Sequence, residues 1–198
     1  MKVELVTAST YNIPDLNKIK DHLGLERGWT EQDDLLKGLR LTALEYAQNY
    51  TNRKLRAETW KLYLDDWPYC ESVELPYAPL RSIPSTGVVY TDSDGNSTTL
   101  SSTKWSADTV SEPGRLVLNY DEIWPTNTLA NKNPIAIEFN AGYESSSSVP
   151  ESIKIAMLLM MAQWYEGRED AIVGAGILYA KMPLGAKALM SPYRNFKF

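Results

Sequence analysis

The sequence predicts an α+β chain, with N-terminal helices and a long C-terminal helix on either side of an antiparallel β module. Three observations predict it. Apolar residues recur at helical spacing up to about residue 50, the period falls to two beyond Lys54, and an apolar run from Ile153 restores a helix. The expected division is an N-terminal helical part at 1–54, a β module at 55–143, and a C-terminal helical part with a tail at 144–198.

The first helix lies in "IPDLNKIKDHLG", where Leu16, Ile19 and Leu23 share a face, Pro14 and Asp15 stand near the start and Gly24 marks the end. The second lies in "GWTEQDDLLKGLRLTALEYAQNYTNR". Thr30 and Asp33 have the spacing of a capping box. Leu35, Leu36, Leu39, Ala43, Tyr46, Ala47 and Tyr50 fall within about 120° of one another. Gly38 inside this helix costs up to about 1 kcal/mol against Ala, so a close approach is expected there.

Alternation then takes over. In "TWKLYLDDW", Trp60, Leu62 and Leu64 face one way and Lys61, Tyr63 and Asp65 the other. "VVYTDSDGNSTTL" places two β-rich runs around Asp94-Gly95-Asn96, a hairpin signature. "GRLVLNY" and "PIAIEFNAGY" are further strands, with Ile135, Ile137 and Phe139 on one side of the latter. Six prolines between Pro76 and Pro134 separate short strands.

"IKIAMLLMMAQWYEG" carries eight consecutive apolar residues, Ile155 to Ala162, too few to span a bilayer. Pro150, Glu151 and Gly167 suit the two ends of a helix. Its apolar residues divide into two faces, one with Ile153, Met157, Met160, Met161 and Trp164, the other with Ile155, Leu158, Leu159 and Ala162. Burying each large residue of the second face is worth roughly 2 kcal/mol at most. Three of them forgo about 6 kcal/mol if left wet, a large part of a typical domain stability of about 5–15 kcal/mol. Both faces therefore call for a cover, from this chain or from another. The loop Glu169–Gly185 follows, too apolar at Ile172, Val173, Ile177, Leu178 and Tyr179 for an idle connector, and then a short helix from Leu184 to about Met190.

Bulk composition narrows the function. A chain of 198 residues needs no disulfide or metal to hold a core, and Cys70 is the only cysteine. "MKVELVTAST" has no apolar run of signal-peptide length, so cytosolic folding is expected. The net charge of −5 argues against a protein that grips nucleic acid by its phosphates.

The search for chemistry returns no specific signal. His22 is the only histidine and lies on the polar side of the first helix, where a solvated side chain is expected. Cys70 reads as a small packing residue. "DSDGN" lacks the Gly and Glu positions of a calcium loop, and the Gly174–Gly176 stretch lacks the spacing and the Lys-Ser/Thr pair of a phosphate loop. Asp65, Asp66, Asp121 and Glu122 are available carboxylates with nothing to show that they converge. No catalytic residue, cofactor or metal ligand is expected.

Several segments, taken in order, resemble the head–tail connector (adaptor) proteins of long-tailed bacteriophages and gene transfer agents. "DLNKIKDHLG" and "DDLLKGLRLTALEYAQNYTNRKL" are similar to the family's opening helices, and "TWKLYLDDWP" to its following strand. "LPYAPLRSI", "VYTDSDGN", "EPGRLVLNYDEIWP" and "IEFNAGY" resemble the segments of its β module. "VPESIKIAMLLMMAQWYEGRE" with "PLGAKALMSPYR" is the most distinctive block. The resemblance covers roughly residues 14–194.

The resemblance implies one helical domain, residues 1–54 packing with 144–198, into which the β module is inserted. It implies a non-enzymatic virion protein, made in the host cytoplasm and placed in the neck, away from any membrane. Copies, usually twelve, form a ring below the portal protein and extend the DNA channel without binding DNA specifically. The ring presents a platform to the next neck (stopper) or tail-terminator protein.

In that setting Tyr193, Arg194, Phe196, Lys197 and Phe198 of the tail are the candidates for portal binding. Ile155, Leu158, Leu159, Ile172, Val173, Ile177, Leu178 and Tyr179 are the candidates for contact between subunits. Two other readings stand beside it. One is a different neck or tail-completion protein. The other is a carbohydrate-binding or glycan-hydrolysing module in which Trp60, Tyr63, Trp105, Tyr120 and Trp124 stack on sugars.

Overall fold

A computed structural model describes residues 2–167 and 182–195. Its elements are four α-helices and antiparallel strands, a mixed α+β architecture. The chain divides into two compact units, a strand unit with residues 2–10 and 56–144 and a helical unit with the described parts of 11–55 and 145–195.

The strand unit differs from the expected division at its start. Residues Lys2–Thr7 form β1, which pairs antiparallel with β2 (Glu58–Leu64) in the register Val3↔Leu62 and Leu5↔Trp60. Hydrogen bonding to β2 holds β1 as an edge strand of that sheet, so residues 2–10 go with the strands and not with the helical part at 1–54. The remaining strands are β3 (Ser72–Glu74), β4 (Leu80–Ser82), β5 (Val88–Thr91), β6 (Ser97–Thr99), β7 (Trp105–Asp108), β8 (Arg115–Leu118) and β9 (Ile135–Ala141). One sheet runs β1-β2-β9-β5-β6, with β4 also on β9, and the other runs β3-β8-β7.

The core of this unit draws on both sheets. In β9 burial alternates as a period of two requires, with Ile135, Ile137, Phe139 and Ala141 all inside. Leu62 of β2, Val73 of β3, Leu80 of β4, Val88 of β5, Trp105 of β7 and Leu116 of β8 join them. Gly114 lies where β8 begins, and a Cβ there would stand 2.3 Å from Leu80 Cβ, so only glycine fits the approach. On the opposite face of β9, Asn140 bonds Thr59 at 2.8 Å and Ser82 at 3.0 Å, and Glu138 pairs with Lys61 at 3.4 Å. The β5–β6 turn is closed by Asp92, whose Oδ1 accepts from the amides of Asp94 and Asn96. The amide of Asn96 leads the bonds that hold its carboxyl below the usual range. Gly95 there has φ +87°, a value that favours glycine.

The helical unit contains α1 (Leu16–His22), α2 (Asp33–Thr51), α3 (Glu151–Glu166), α4 (Leu184–Met190) and a 3₁₀ turn at Ser191–Tyr193. Asp15 caps α1 by accepting from the Asn17 amide at 2.9 Å. The capping box expected at Thr30 does not form. Asp33 is the first residue of α2, Gln32 is its cap, and the Asp33 carboxylate turns to Lys20 instead. Lys20 is only 2% exposed, and its Nζ reaches Asp33 at 2.6 Å and the carbonyls of Arg27 and Trp29 at 3.1 and 2.7 Å. One buried ammonium thus holds the α1–α2 connection in place.

The buried stripe of α2 is rotated from the expected one. Leu36, Ala43, Leu44, Ala47 and Thr51 are inside, while Leu35 and Tyr46 are exposed. Thr51 is tolerated there because its hydroxyl donates to the Ala47 carbonyl at 2.7 Å. A Cβ at Gly38 would meet nothing within 4 Å, so the close approach expected at that residue is absent from the described chain.

Candidate functional site

Helix α3 is the first candidate surface, and its two faces are treated differently. Ile153, Met157, Met160 and Met161 are fully buried. Trp164, on the same face, meets Tyr46 of α2 edge-on at 6.3 Å between ring centroids. Tyr165 donates to Gln32 Oε1 at 2.7 Å, which ties the seam of α3 to the start of α2. Lys154, on the same seam near the start of α3, pairs with Glu151 at 2.6 Å and donates to the Ser146 carbonyl at 3.3 Å. The second face is less covered. Ile155 is 41% exposed, and Leu158, Leu159 and Ala162 are half-buried. Leu159 Cδ1 would be 3.8 Å from a Cβ at Gly185, which places α4 beside part of this face. Ile172, Val173, Ile177, Leu178 and Tyr179 lie outside the described residues, as does the Gly174–Gly176 stretch.

The C-terminal segment is the second candidate. Asn52 ends α2 in the left-handed region at φ +53°, and its side-chain amide donates to the Asn195 carbonyl at 2.7 Å. The Asn195 amide donates to the Thr51 carbonyl at 2.8 Å, and Arg53 Nε donates to the Tyr193 carbonyl at 2.6 Å. The Arg194 guanidinium carbon is 5.3 Å from the centroid of the Tyr50 ring, within cation–π range. Residues 193–195 are therefore strapped to the C-terminal end of α2. Phe196, Lys197 and Phe198 lie outside the described residues.

The residues considered for chemistry are engaged elsewhere or stand apart. His22 is exposed at the end of α1. Cys70 is exposed and not packed as expected, because its loop lies at the surface and its thiol donates to the Ser72 carbonyl at 3.1 Å. Asp65 accepts from the Asn133 amide at 3.2 Å, Asp66 from the Trp67 amide at 2.8 Å, and Glu122 from Lys104 at 2.9 Å. Among the described residues no group of three metal-ligating side chains comes together.

The aromatic residues proposed to stack on sugars are likewise dispersed. Trp105 is in the core, Trp60 packs on Tyr77 at 4.6 Å, Tyr63 donates to Glu4 at 3.0 Å, and Trp124 stacks on Trp67 at 4.6 Å. Only Tyr120 of the five is bare. The stacking of Trp67 on Trp124 was not foreseen, although both stand in the pattern acid, any residue, Trp, Pro.

No protein-family model and no curated relative matches the sequence. Solved structures do. A chain from the neck of an empty gene transfer agent particle, computed with six-fold symmetry, is 25% identical with a TM-score of 0.79. A chain from the virion of a native gene transfer agent particle is 23% identical with a TM-score of 0.78, and one from the neck of a native particle, computed with twelve-fold symmetry, is 23% identical with a TM-score of 0.76. Each likeness covers 100% of this chain and 97% of the other. The chain thus has the fold of neck and virion components of gene transfer agent particles, and the 25% identical neck chain supports a structural component of the virion neck.

Proposed function

We propose that this chain is a head–tail connector, an adaptor whose copies form a ring below the portal protein, extend the DNA channel and join the head to the tail. The single observation behind the reading is the full-length likeness to chains from necks computed with six-fold and twelve-fold symmetry. A ring of twelve copies fits the twelve-fold neck. Ile155, Leu158 and Leu159 are the proposed contact with the neighbouring subunit, because theirs is the α3 face left partly open. Ile172, Val173, Ile177, Leu178 and Tyr179 belong to the same proposal on sequence grounds.

Portal binding is assigned to the C-terminal tail. The strap at 193–195 commits the main chain of Tyr193 and Asn195 to α2, and the Arg194 guanidinium lies over Tyr50, so the segment is held at the C-terminal end of that helix. The candidates remain Tyr193, Arg194, Phe196, Lys197 and Phe198. The acidic composition, net −5, suits a channel through which DNA slides without being retained. The ring's far side meets the next neck (stopper) or tail-terminator protein.

Binding of the purified chain to isolated portal rings, read as complex mass by light scattering, tests the reading. A discrete complex with about one chain per portal subunit is expected. Intact rings that take up none of the folded chain would instead favour a different neck or tail-completion protein.

A further inference from the structure

Two loops of the strand unit carry the same four-residue pattern, Asp65 to Pro68 after β2 and Glu122 to Pro125 after β8. The fold brings the two together. The Trp67 and Trp124 rings stack with centroids 4.6 Å apart and planes 7° from parallel, and Tyr90 meets Trp67 edge-on at 6.2 Å. Trp124 Nε1 donates to the Cys70 carbonyl at 2.8 Å, and the Leu118 amide donates to the Glu71 carbonyl at 2.8 Å. Both bonds run from the 118–124 segment to the carbonyls of residues 70 and 71, and they hold the two loops together.

The residues next to the clasp are bare. Tyr69, adjacent to Cys70, is fully exposed, Tyr120 is 94% exposed, and Ile123, adjacent to Trp124, is 69% exposed. A single exposed apolar residue needs no explanation, but three on two hydrogen-bonded loops do. Anchors held on ordered backbone lose little freedom on binding, which is what a docking surface requires. The charges on the two loops themselves are of one sign. Residues 65–71 and 119–125 contain Asp65, Asp66, Glu71, Asp121 and Glu122 and no Lys or Arg. Of these five, Glu122 pairs with Lys104, and the others are exposed.

We propose that this Trp-clasped knob docks a different protein, one that offers an apolar socket bordered by Lys or Arg. Charge complementarity selects the occupant. A second copy presenting the same knob would set Asp65, Asp66, Glu71 and Asp121 against the same four carboxylates, an arrangement that opposes association. That the partner is another virion protein rests on the neck reading above; the chemistry of the surface does not.

The test is photo-crosslinking in assembled particles of the host that encodes the chain, with Tyr69 replaced by p-benzoylphenylalanine in the full-length protein. The expected result is a crosslink to a virion protein other than this chain, weakened at least tenfold by the pair Glu71→Lys and Asp121→Lys. Both positions are exposed, and an unchanged melting temperature verifies that the fold survives. A crosslink only to a second copy, no crosslink in particles that contain the chain, or a yield indifferent to charge reversal would overturn the proposal. Particles that lack the chain altogether would overturn the neck reading and the virion partner with it.

Discussion

Strand β9 and helix α3 contribute the most buried residues among the described elements of their units, and they are completed differently. β9 alternates, so one row of side chains, Ile135, Ile137, Phe139 and Ala141, enters the core and the other row is polar enough to stay outside. α3 has apolar residues all round, and only the face of Ile153, Met157, Met160 and Met161 is fully buried. The difference teaches that β9 finishes its hydrophobic burial within its own unit, whereas α3 keeps an apolar face part-covered among the described residues. A face left in that condition is what a ring-forming subunit would present to its neighbour.

The largest effects fall on the completed cores. Phe139→Ala should destabilise by about 3–5 kcal/mol and Met157→Ala by about 2–5 kcal/mol, read from urea midpoints. Lys20→Ala comes next. It removes a buried ammonium that holds Asp33 and two carbonyls, and a loss of about 3 kcal/mol is expected. A value near zero would mean that the α1–α2 connection is held by something else.

Two glycines sharpen the contrast with opposite signs. Gly114→Ala drives a methyl into Leu80 and should cost about 1–3 kcal/mol or more in the strand unit. Gly38→Ala enters open space on an exposed helix surface and should stabilise the isolated chain by up to about 1 kcal/mol. Thermal melts of the two variants decide it, and a destabilising Gly38→Ala would contradict the open surroundings.

Acid sensitivity adds a smaller effect in the strand unit. The Ser111 hydroxyl and amide, followed by the Arg115 guanidinium, hold the Asp108 carboxyl well below its ordinary value of 3.8. A depressed carboxyl contributes stability above its unfolded-state value and loses it as pH falls below about 4. Asp108→Asn should therefore flatten the loss of stability between about pH 4 and 2, measured by denaturant midpoints across that range.

The smallest effect on stability is the most telling for the comparison. Ile155→Lys should change the stability of the isolated chain by less than about 0.5 kcal/mol and still abolish incorporation into portal-bound rings, as followed by light scattering. A cost like that of Met157→Ala would show that this chain covers the second face of α3 itself.

Much of this was legible from spacing alone. The alternation of Ile135, Ile137 and Phe139, the hairpin around Gly95, the ends of α3 at Pro150 and Gly167, and the short helix at Leu184–Met190 all follow from local patterns. Other features depend on partners far along the chain. β1 is a strand because β2 is there to pair with it. Thr30 and Asp33 have the capping-box spacing, yet Asp33 is drawn to Lys20 and the box does not form. Leu35 and Leu44 are equally apolar, and their neighbours decide that Leu44 is the buried one. The candidate surfaces were legible in the same uneven way. The double-sided apolarity of α3 can be read from sequence, but the strap of Asn195 onto Thr51 and Asn52 cannot.

By itself the sequence determined where the helices and strands β2, β5, β6, β8 and β9 form and that α3 carries more apolar surface than one face can hide, because those follow from periodicity within a few residues. Only the tertiary structure decided which α3 face is buried, that residues 2–7 join the strands, and that Trp67 and Trp124 clasp two loops beside Tyr69, Tyr120 and Ile123. Those outcomes depend on contacts between residues tens of positions apart, and the free energy of such contacts is set by geometry that no local pattern encodes.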